Sequence, residues 1–379
     1  MKTAVLVSCF NWYDNRIKPI KQSLENAGYK VNVLLSDFNH IEKCDIKKKN
    51  KECTYIHVIK YKRNLSLRRL LSHWLFARKV YQYFFKVEPD LIYALIPPNS
   101  VAAWCIRYKK KVKKSVKVIF DIIDLWPESM PLNFFKKTFP YVLWKNLRDR
   151  NIELSDHVFT ECTMYQLELH SFLPQSYSTL YLFKNQTSDE RNLVKDIIYK
   201  YRYNEDHIIL GYVGSINNII DISAIVKVVR LLSSEYSVEI RVIGDGEKKE
   251  EFLKTLRGVC KEVKYFGKIF NETEKIEILA PCDFALNIMK DTVKVGLTIK
   301  SIDYFSYGLP LINNIKGDTW YLIENYHLGI NLGERNFLFE VKSTKNKKNH
   351  EKVLAIYDKF FTKASFFNQL SKGIKDEEI

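Results

Sequence analysis

The sequence predicts an α/β chain of two doubly wound domains, each a parallel sheet flanked by helices. Three observations carry that expectation. Short β-branched runs alternate with longer stretches of helical apolar spacing along most of the chain. Its 379 residues exceed one ordinary domain, and 46% hydrophobic content can fill two cores. A polar, charged stretch, FKNQTSDERNLVKDIIYKYRYNEDH (183–207), parts the alternation into halves.

In the first half the strands read TAVLVSC (3–9), KVNVLLS (30–36), TYIHVIK (54–60), DLIYALI (90–96), VKVIFDI (116–122) and HVFT (157–160). Between them lie helical patterns such as LRRLLSHWLFARKVYQYF (67–84). The second half repeats the alternation with HIILGYVG (207–214), VEIRVIG (238–244), VKYFG (263–267), DFALNIM (283–289) and LPLINN (309–314). The expected boundaries are residues 1–185, a linker at 186–206, a second domain at 207–350 and a helical tail at 351–379.

No stretch approaches the ~18 consecutive apolar residues of a membrane span. The opening MKTAVLVSCFNWYDNR reads as a first buried strand rather than a signal peptide. Seven scattered cysteines, with no CxxC pair, point to a reducing cytoplasm and no structural zinc. The net charge of +16 is localised: residues 47–117 hold nineteen Lys or Arg against three acids. Such a face suits nucleic acid or an anionic membrane, or is a solvated surface.

In open parallel sheets ligands sit beyond the carboxyl ends of strands, so those loops carry the functional reading. GYVGSINNIID (211–221) places Gly214 and Ser215 ahead of a helix, where free N–H groups suit a phosphate. VIGDGEKKEEF (242–252) turns at Gly244, with an acidic first helical turn that favours the helix dipole whatever the function. YFGKIF (265–270) puts the backbone of Lys268 and Ile269 within reach of a base edge. VGLTIKSIDYFSYGLP (295–310) follows an apolar strand. Its Gly296, Leu297 and Thr298 amides open a helix, with Lys300 in the first turn and Asp303 one turn on, roughly beneath it. A diphosphate at the amides and a ribose at Asp303 fit that cluster; a plain surface Lys/Asp pair is the alternative.

The order GYVGS, VEIRVIGDGE, VKYFGKI, LAPCDFALNIM, KSIDYFSYGLPLI resembles the C-terminal domain of retaining GT-B fold glycosyltransferases of the GT4 type. SCFNWYDNRIKPIKQSLENAGYKVNVLLSDFNH resembles their first strand, helix and second strand. DIIDLWPES resembles a stretch of the bacterial capsular and exopolysaccharide members, so the likeness spans roughly residues 1–335. It implies a GT-B fold, two Rossmann-like domains facing across a cleft, with the tail crossing back toward the first domain. It also implies transfer from a nucleoside diphosphate sugar, expected to be UDP-linked, to a lipid-linked saccharide. No metal is implied; the enzyme would be cytoplasmic, peripheral on the inner face of an anionic membrane.

The family's Glu-x7-Glu pattern falls on Val295 and Asp303, so only the second position keeps a carboxylate. SINNII lacks the Arg and Lys that many members place after the first glycine loop, and Lys300, with Lys294, stands in for them. By the same likeness Asp124 positions the acceptor hydroxyl, while the departing phosphate takes its proton. Arg16 meets an acceptor phosphate or is a surface arginine. Glu128 is a hydroxyl partner or a helix N-terminal acid, and Trp126 and Pro127 fit loop packing. MPLNFFKKTFPYVLWKNLRDRN (130–151) mixes aromatic and basic residues in the manner of a monotopic lipid contact, or packs on its own domain. The rival functions are a nucleic-acid binder using the basic face, which lacks an RNA-binding signature, and a non-catalytic partner subunit.

Overall fold

A computed structural model describes residues 1–10, 14–130, 138–293, 295–333 and 336–375. It divides into two compact units: Met1–Leu182 with Phe366–Ile379, and Phe183–Ser365.

The first unit holds β1 (Thr3–Ser8), β2 (Lys30–Ser36), the two-residue strands β3 (Phe38–Asn39) and β4 (Cys44–Asp45), and β5 (Cys53–Ile56). It continues with β6 (Leu91–Ile96), β7 (Lys117–Ile122), β8 (His157–Thr160) and β9 (Tyr177–Thr179). Seven of these form one parallel sheet in the order β5-β2-β1-β6-β7-β8-β9. β3 and β4 pair separately as a small antiparallel ribbon. The central strands read as unbroken apolar runs because helices cover both faces; every residue of Leu91–Ile96 is buried.

The second unit holds β10 (His207–Val213), β11 (Ser237–Ile243), β12 (Glu262–Gly267), β13 (Phe284–Asn287), β14 (Leu311–Asn313) and β15 (Gly329–Asn331). They form a six-stranded parallel sheet ordered β12-β11-β10-β13-β14-β15. Its core packs Leu210, Ile240 and Phe284 against Val229 and Phe252.

The α/β class and the parallel sheets agree with the sequence reading. Two short edge strands, β9 and β15, escaped it because runs of three residues carry no usable period. The stretch expected as a linker instead builds the helix Ser188–Lys200. Thr187 and Glu190 close a reciprocal capping box there, and Val194 and Ile198 are buried. Their four-residue spacing gives an apolar stripe too narrow to stand out among so many charges.

In each sheet the strand order reverses beside one strand. That point lies between β1 and β6 in the first unit, and between β10 and β13 in the second. Loops leaving the carboxyl ends there are splayed apart, which opens room for a ligand.

Candidate functional site

At the second unit's switch point the loops are stapled backbone to backbone. Gly214 N–H donates to Ile243 O at 3.0 Å, Gly244 N–H to Gly267 O at 2.7 Å, and Ile216 N–H to Asp245 O at 2.9 Å. Gly244 has φ +142°, and a Cβ there would lie 2.0 Å from the Gly214 carbonyl oxygen. Only glycine fits so close an approach. Ser215 is exposed on this loop, and its carbonyl accepts the Tyr212 hydroxyl at 3.0 Å.

The helix Ile299–Ser306 faces this loop. Thr298 caps it, its side chain accepting from Ser301 N–H at 3.1 Å. Gly296 holds the approach through its carbonyl, which accepts the Thr319 amide at 2.9 Å and its hydroxyl at 3.0 Å. The Tyr304 hydroxyl ties the helix to β10 by accepting from Val213 N–H at 2.8 Å. The first-turn N–H groups of Ile299 and Lys300 have no acceptor among the described residues.

Lys300 lies in that opening. Its stem runs beside Gly214, where an added Cβ would stand 3.9 Å from the Lys300 Cδ, and its ammonium sits 5.5 Å from the Tyr212 ring centroid. Among the described residues it meets no carboxylate, and burial pushes its pKa down to about 8. Lys294, expected to share its role, lies outside the described residues.

Asp303 does not sit under Lys300. Its carboxylate pairs with Lys184 Nζ at 2.8 Å. Lys184 also pairs with Glu272 and donates to the Tyr307 hydroxyl at 3.0 Å, which in turn donates to Glu272 at 2.6 Å. Burial opposes ionisation of Glu272, yet Lys184 and the hydrogen bonds from Lys275 and Tyr307 hold its pKa down to about 2. Three positions separate residues 300 and 303, but their side chains diverge to opposite neighbours, and sequence spacing gave no sign of Lys184. Lys268 is exposed and pairs with Asp245 at 3.2 Å, and Ile269 follows it on the loop after β12. The structure thus gathers Gly214, Ser215, Gly244, Gly296, Leu297, Thr298 and Lys300 around one switch point. It sets Asp303 in an adjoining ionic cluster.

In the first unit Asp124 leaves the carboxyl end of β7. It accepts from Trp126 Nε1 at 2.6 Å and Ser129 Oγ at 2.5 Å, and burial nonetheless raises its pKa. Two expectations need correction. Arg16 is buried, not a surface or ligand-facing arginine: Nε and Nη2 each donate to Asp121 at 2.7 Å, and Nη2 also to Leu180 O at 2.9 Å. Glu128 is taken up by Arg148, whose Nη2 donates to Oε1 at 2.6 Å and Nη1 to Oε2 at 3.2 Å. Both form interior ion pairs that brace the loops rather than present a free group. Of the segment read as a lipid contact, residues 131–137 lie outside those described, and Phe139–Ile152 is a helix.

Sequence reasoning missed a second group in this unit. Arg69, His73, Phe76 and Val80 occupy the buried stripe of the helix Leu67–Val87. The signal was an arginine and a histidine in the register of the apolar positions. His73 stacks on Trp126 at 6.0 Å between centroids, and the Arg69 guanidinium lies 4.2 Å from the Trp126 ring centroid. His40, between the Tyr61 hydroxyl and Ser36, is kept neutral by burial, its pKa lowered to about 3.

Among the described residues no helix is long and apolar enough to cross a membrane, and no cluster of three His, Cys, Asp or Glu is placed to hold a metal ion.

Comparison with known proteins bears on both units. Residues 207–330 match the family described as glycosyl transferases group 1. Over the full length, the chain superposes on solved structures of that architecture. The apo lipopolysaccharide outer core galactosyltransferase WaaB gives a TM-score of 0.67 at 14% identity, over 100% of both chains. Sucrose-phosphate synthase from Thermosynechococcus elongatus gives 0.63 at 11%, over 99% of each. The fold is GT-B, and the chain is a glycosyltransferase. HepE from Anabaena in complex with UDP, also similar, gives 0.61 at 14% over 99% of this chain and 100% of that one. No curated protein matches the sequence. Within the GT-B frame, the stapled glycine loops and Lys300 all fall inside the matched residues 207–330.

Proposed function

We propose that this glycosyltransferase is a retaining enzyme of the GT4 type. It moves a sugar from a nucleoside diphosphate donor to a lipid-linked saccharide in the assembly of a cell-surface polysaccharide. The observation that carries the donor reading is Lys300, an ammonium group that meets no carboxylate among the described residues, beside helix N-terminal amides that find no acceptor among them, at a sheet switch point. A cation so placed is costly unless an anion joins it, and a diphosphate supplies one. The similar structures of HepE with UDP and with UDP-glucose support a uridine nucleotide. WaaB, a lipopolysaccharide galactosyltransferase, supports an acceptor of the envelope class.

In the transfer, the bond from the sugar C1 to the β-phosphate oxygen breaks and a bond from C1 to the acceptor oxygen forms. The acceptor proton passes to the departing phosphate, so the chain need supply no strong base. What it must supply is stabilisation of charge growing on the diphosphate, from Lys300 and the Ile299 and Lys300 amides. Lys300 takes the place of a metal ion in this reading. Asp303 accepts hydrogen bonds from the ribose hydroxyls, with Lys184 holding it in place. Asp124 orients the acceptor hydroxyl. The enzyme works in the cytoplasm against the inner face of the membrane.

The test is a panel of nucleotide sugars incubated with the protein and membrane extract as acceptor source. Extract-dependent release of nucleoside diphosphate from one donor, with the sugar moved into the lipid fraction in its original anomeric form, is expected. Release from none of the panel, or product of inverted configuration, would refute the reading.

A further inference from the structure

The first unit carries two cations that no acid among the described residues answers. Arg69 is buried, 8% exposed, and donates from Nη1 to the Asn64 carbonyl at 2.9 Å. Among the described residues its Nε has no hydrogen-bond partner, nor has either ring nitrogen of the buried His73. Half-buried Lys43 donates to the Asn64 side chain and the His40 carbonyl, and its ammonium lies 4.9 Å from the Tyr61 ring centroid. Arg69 approaches that same ring at 5.6 Å. Among the described residues neither cation meets a carboxylate. Asp124, whose charge Arg69 feels, is already spent on Trp126 and Ser129. Two like charges in a half-dry pocket repel one another and each bears a desolvation cost, which an anion would relieve.

An apolar groove begins where the cations end. Asn64 and Ser66, the residues that hold Arg69 and cap its helix, also line a groove of about 320 Å³. Its other walls are Leu65, Leu67, Leu70, Pro140, Tyr141 and Trp144, with Thr138 at one end. The apolar wall stays open to water: Leu67 is 83% exposed and Leu65 51%. Isolated exposed leucines are ordinary, but a continuous apolar trough with an open rim is not.

We propose that this pocket binds an amphiphilic phosphate, its anionic group against Arg69 and Lys43 and its hydrocarbon chain in the groove. The inference rests on the lipid-linked acceptor reading and names the parts of that acceptor the chain would grip. A soluble sugar phosphate has no use for the groove, and a neutral lipid none for the cations.

Decyl phosphate, decanol and inorganic phosphate, titrated into the full-length protein by calorimetry and by tryptophan emission (Trp126 and Trp144 flank the site), separate the possibilities. Decyl phosphate is expected to bind at least about tenfold more tightly than either other probe. Arg69→Gln and Lys43→Gln should each weaken decyl phosphate by about tenfold and leave decanol unchanged. Leu67→Glu, at an exposed position that folding does not need, should weaken both alkyl probes and spare inorganic phosphate. Inorganic phosphate binding as tightly as decyl phosphate would overturn the proposal in favour of a plain phosphate site. Decyl phosphate binding unmoved by all three variants would overturn it outright. So would a dimer in light scattering that Leu67→Glu dissolves, since a second copy would then fill the groove. UDP binding, followed in the same samples, reports the second unit separately. Its absence with alkyl phosphate binding intact would defeat the donor reading alone.

Discussion

Lys300 bears a cost that only a ligand removes. Folding takes its pKa from 10.5 to about 8, so at neutral pH the free protein holds a protonated, poorly solvated ammonium. The unfolded chain binds the extra proton between those values, so stability rises with pH from about 8 to 10.5, and the penalty is complete below 8. Lys300→Met should therefore raise the stability of the free protein at pH 7 by about 3 kcal/mol, read from urea unfolding. On the proposed donor reading the same change should slow transfer roughly 100-fold, because the charge on the departing diphosphate grows as the C1–O bond breaks. In the wild type kcat/KM should fall as pH rises through about 8, where the free enzyme loses that proton. The fall in kcat should come at higher pH, once a bound diphosphate has raised the pKa. A variant less stable than wild type, or a kcat/KM flat to pH 10, would show that Lys300 is merely a surface lysine. The residue was legible because Gly296, a capping Thr298 and a lysine follow an apolar strand. Arg16 and Glu128 were misread for a matching reason: the partners that bury them, Asp121 and Arg148, stand 105 and 20 residues away. No local pattern announces a contact made across the fold.

Between residue and domain, the elements of the second unit are locked by two devices of different kinds. One is steric. The loops after β10 and β11 meet at Gly214 and Gly244, and Gly244→Ala would set a methyl 2.0 Å from a carbonyl oxygen at a positive φ. That strain has no flexible neighbour to absorb it, so the substitution should cost on the order of 3 kcal/mol or more and abolish UDP binding in calorimetry. Wild-type affinity in the alanine variant would mean that the loops are not stapled as described. The other device is ionic. Lys184 joins the helix Ile299–Ser306 to the helix Glu272–Leu279 through Asp303 and Glu272. Glu272 is depressed from 4.5 to about 2, so its stabilisation is present above pH 4.5 and lost as pH falls toward 2. Lys184→Met should then destabilise the unit by about 2 kcal/mol at pH 7, and the gap from wild type should close between pH 4.5 and 2. A gap constant with pH would point to lost packing instead. The sequence showed the glycines, because a strand ending in Gly before a helix is a local signal. It hid the ionic device, since Lys184 is 88 positions from Glu272 and 119 from Asp303.

At the scale of the whole chain, the division into units does not follow sequence order. Residues from Phe366 onward belong with Met1–Leu182, although Phe183–Ser365 intervene. The helix Lys363–Lys375 explains why. Phe366 and Leu370 are 0% exposed, and the Arg16 guanidinium lies 5.7 Å from the Phe366 ring centroid. Gln369 accepts the Tyr181 amide at 3.1 Å. Gly373 lets the helix come in so closely that an added Cβ would stand 2.5 Å from the Phe159 ring. Burying one Phe and one Leu stabilises by roughly 2 kcal/mol each, and uncovering Arg16 and Phe159 adds to the loss. A chain ending at Ser365 should therefore lose about 4–5 kcal/mol from the first unit and nothing comparable from the second. The tryptophans make this measurable, since five of the six stand at residues 12–144 and only Trp320 belongs to the second unit. In urea the shortened chain should show an early emission change from the first unit, while UDP still binds and protects the second. Gly373→Leu should reproduce the early transition at full length. A single transition at the wild-type midpoint in both would mean that the last helix rests on the first unit without stabilising it.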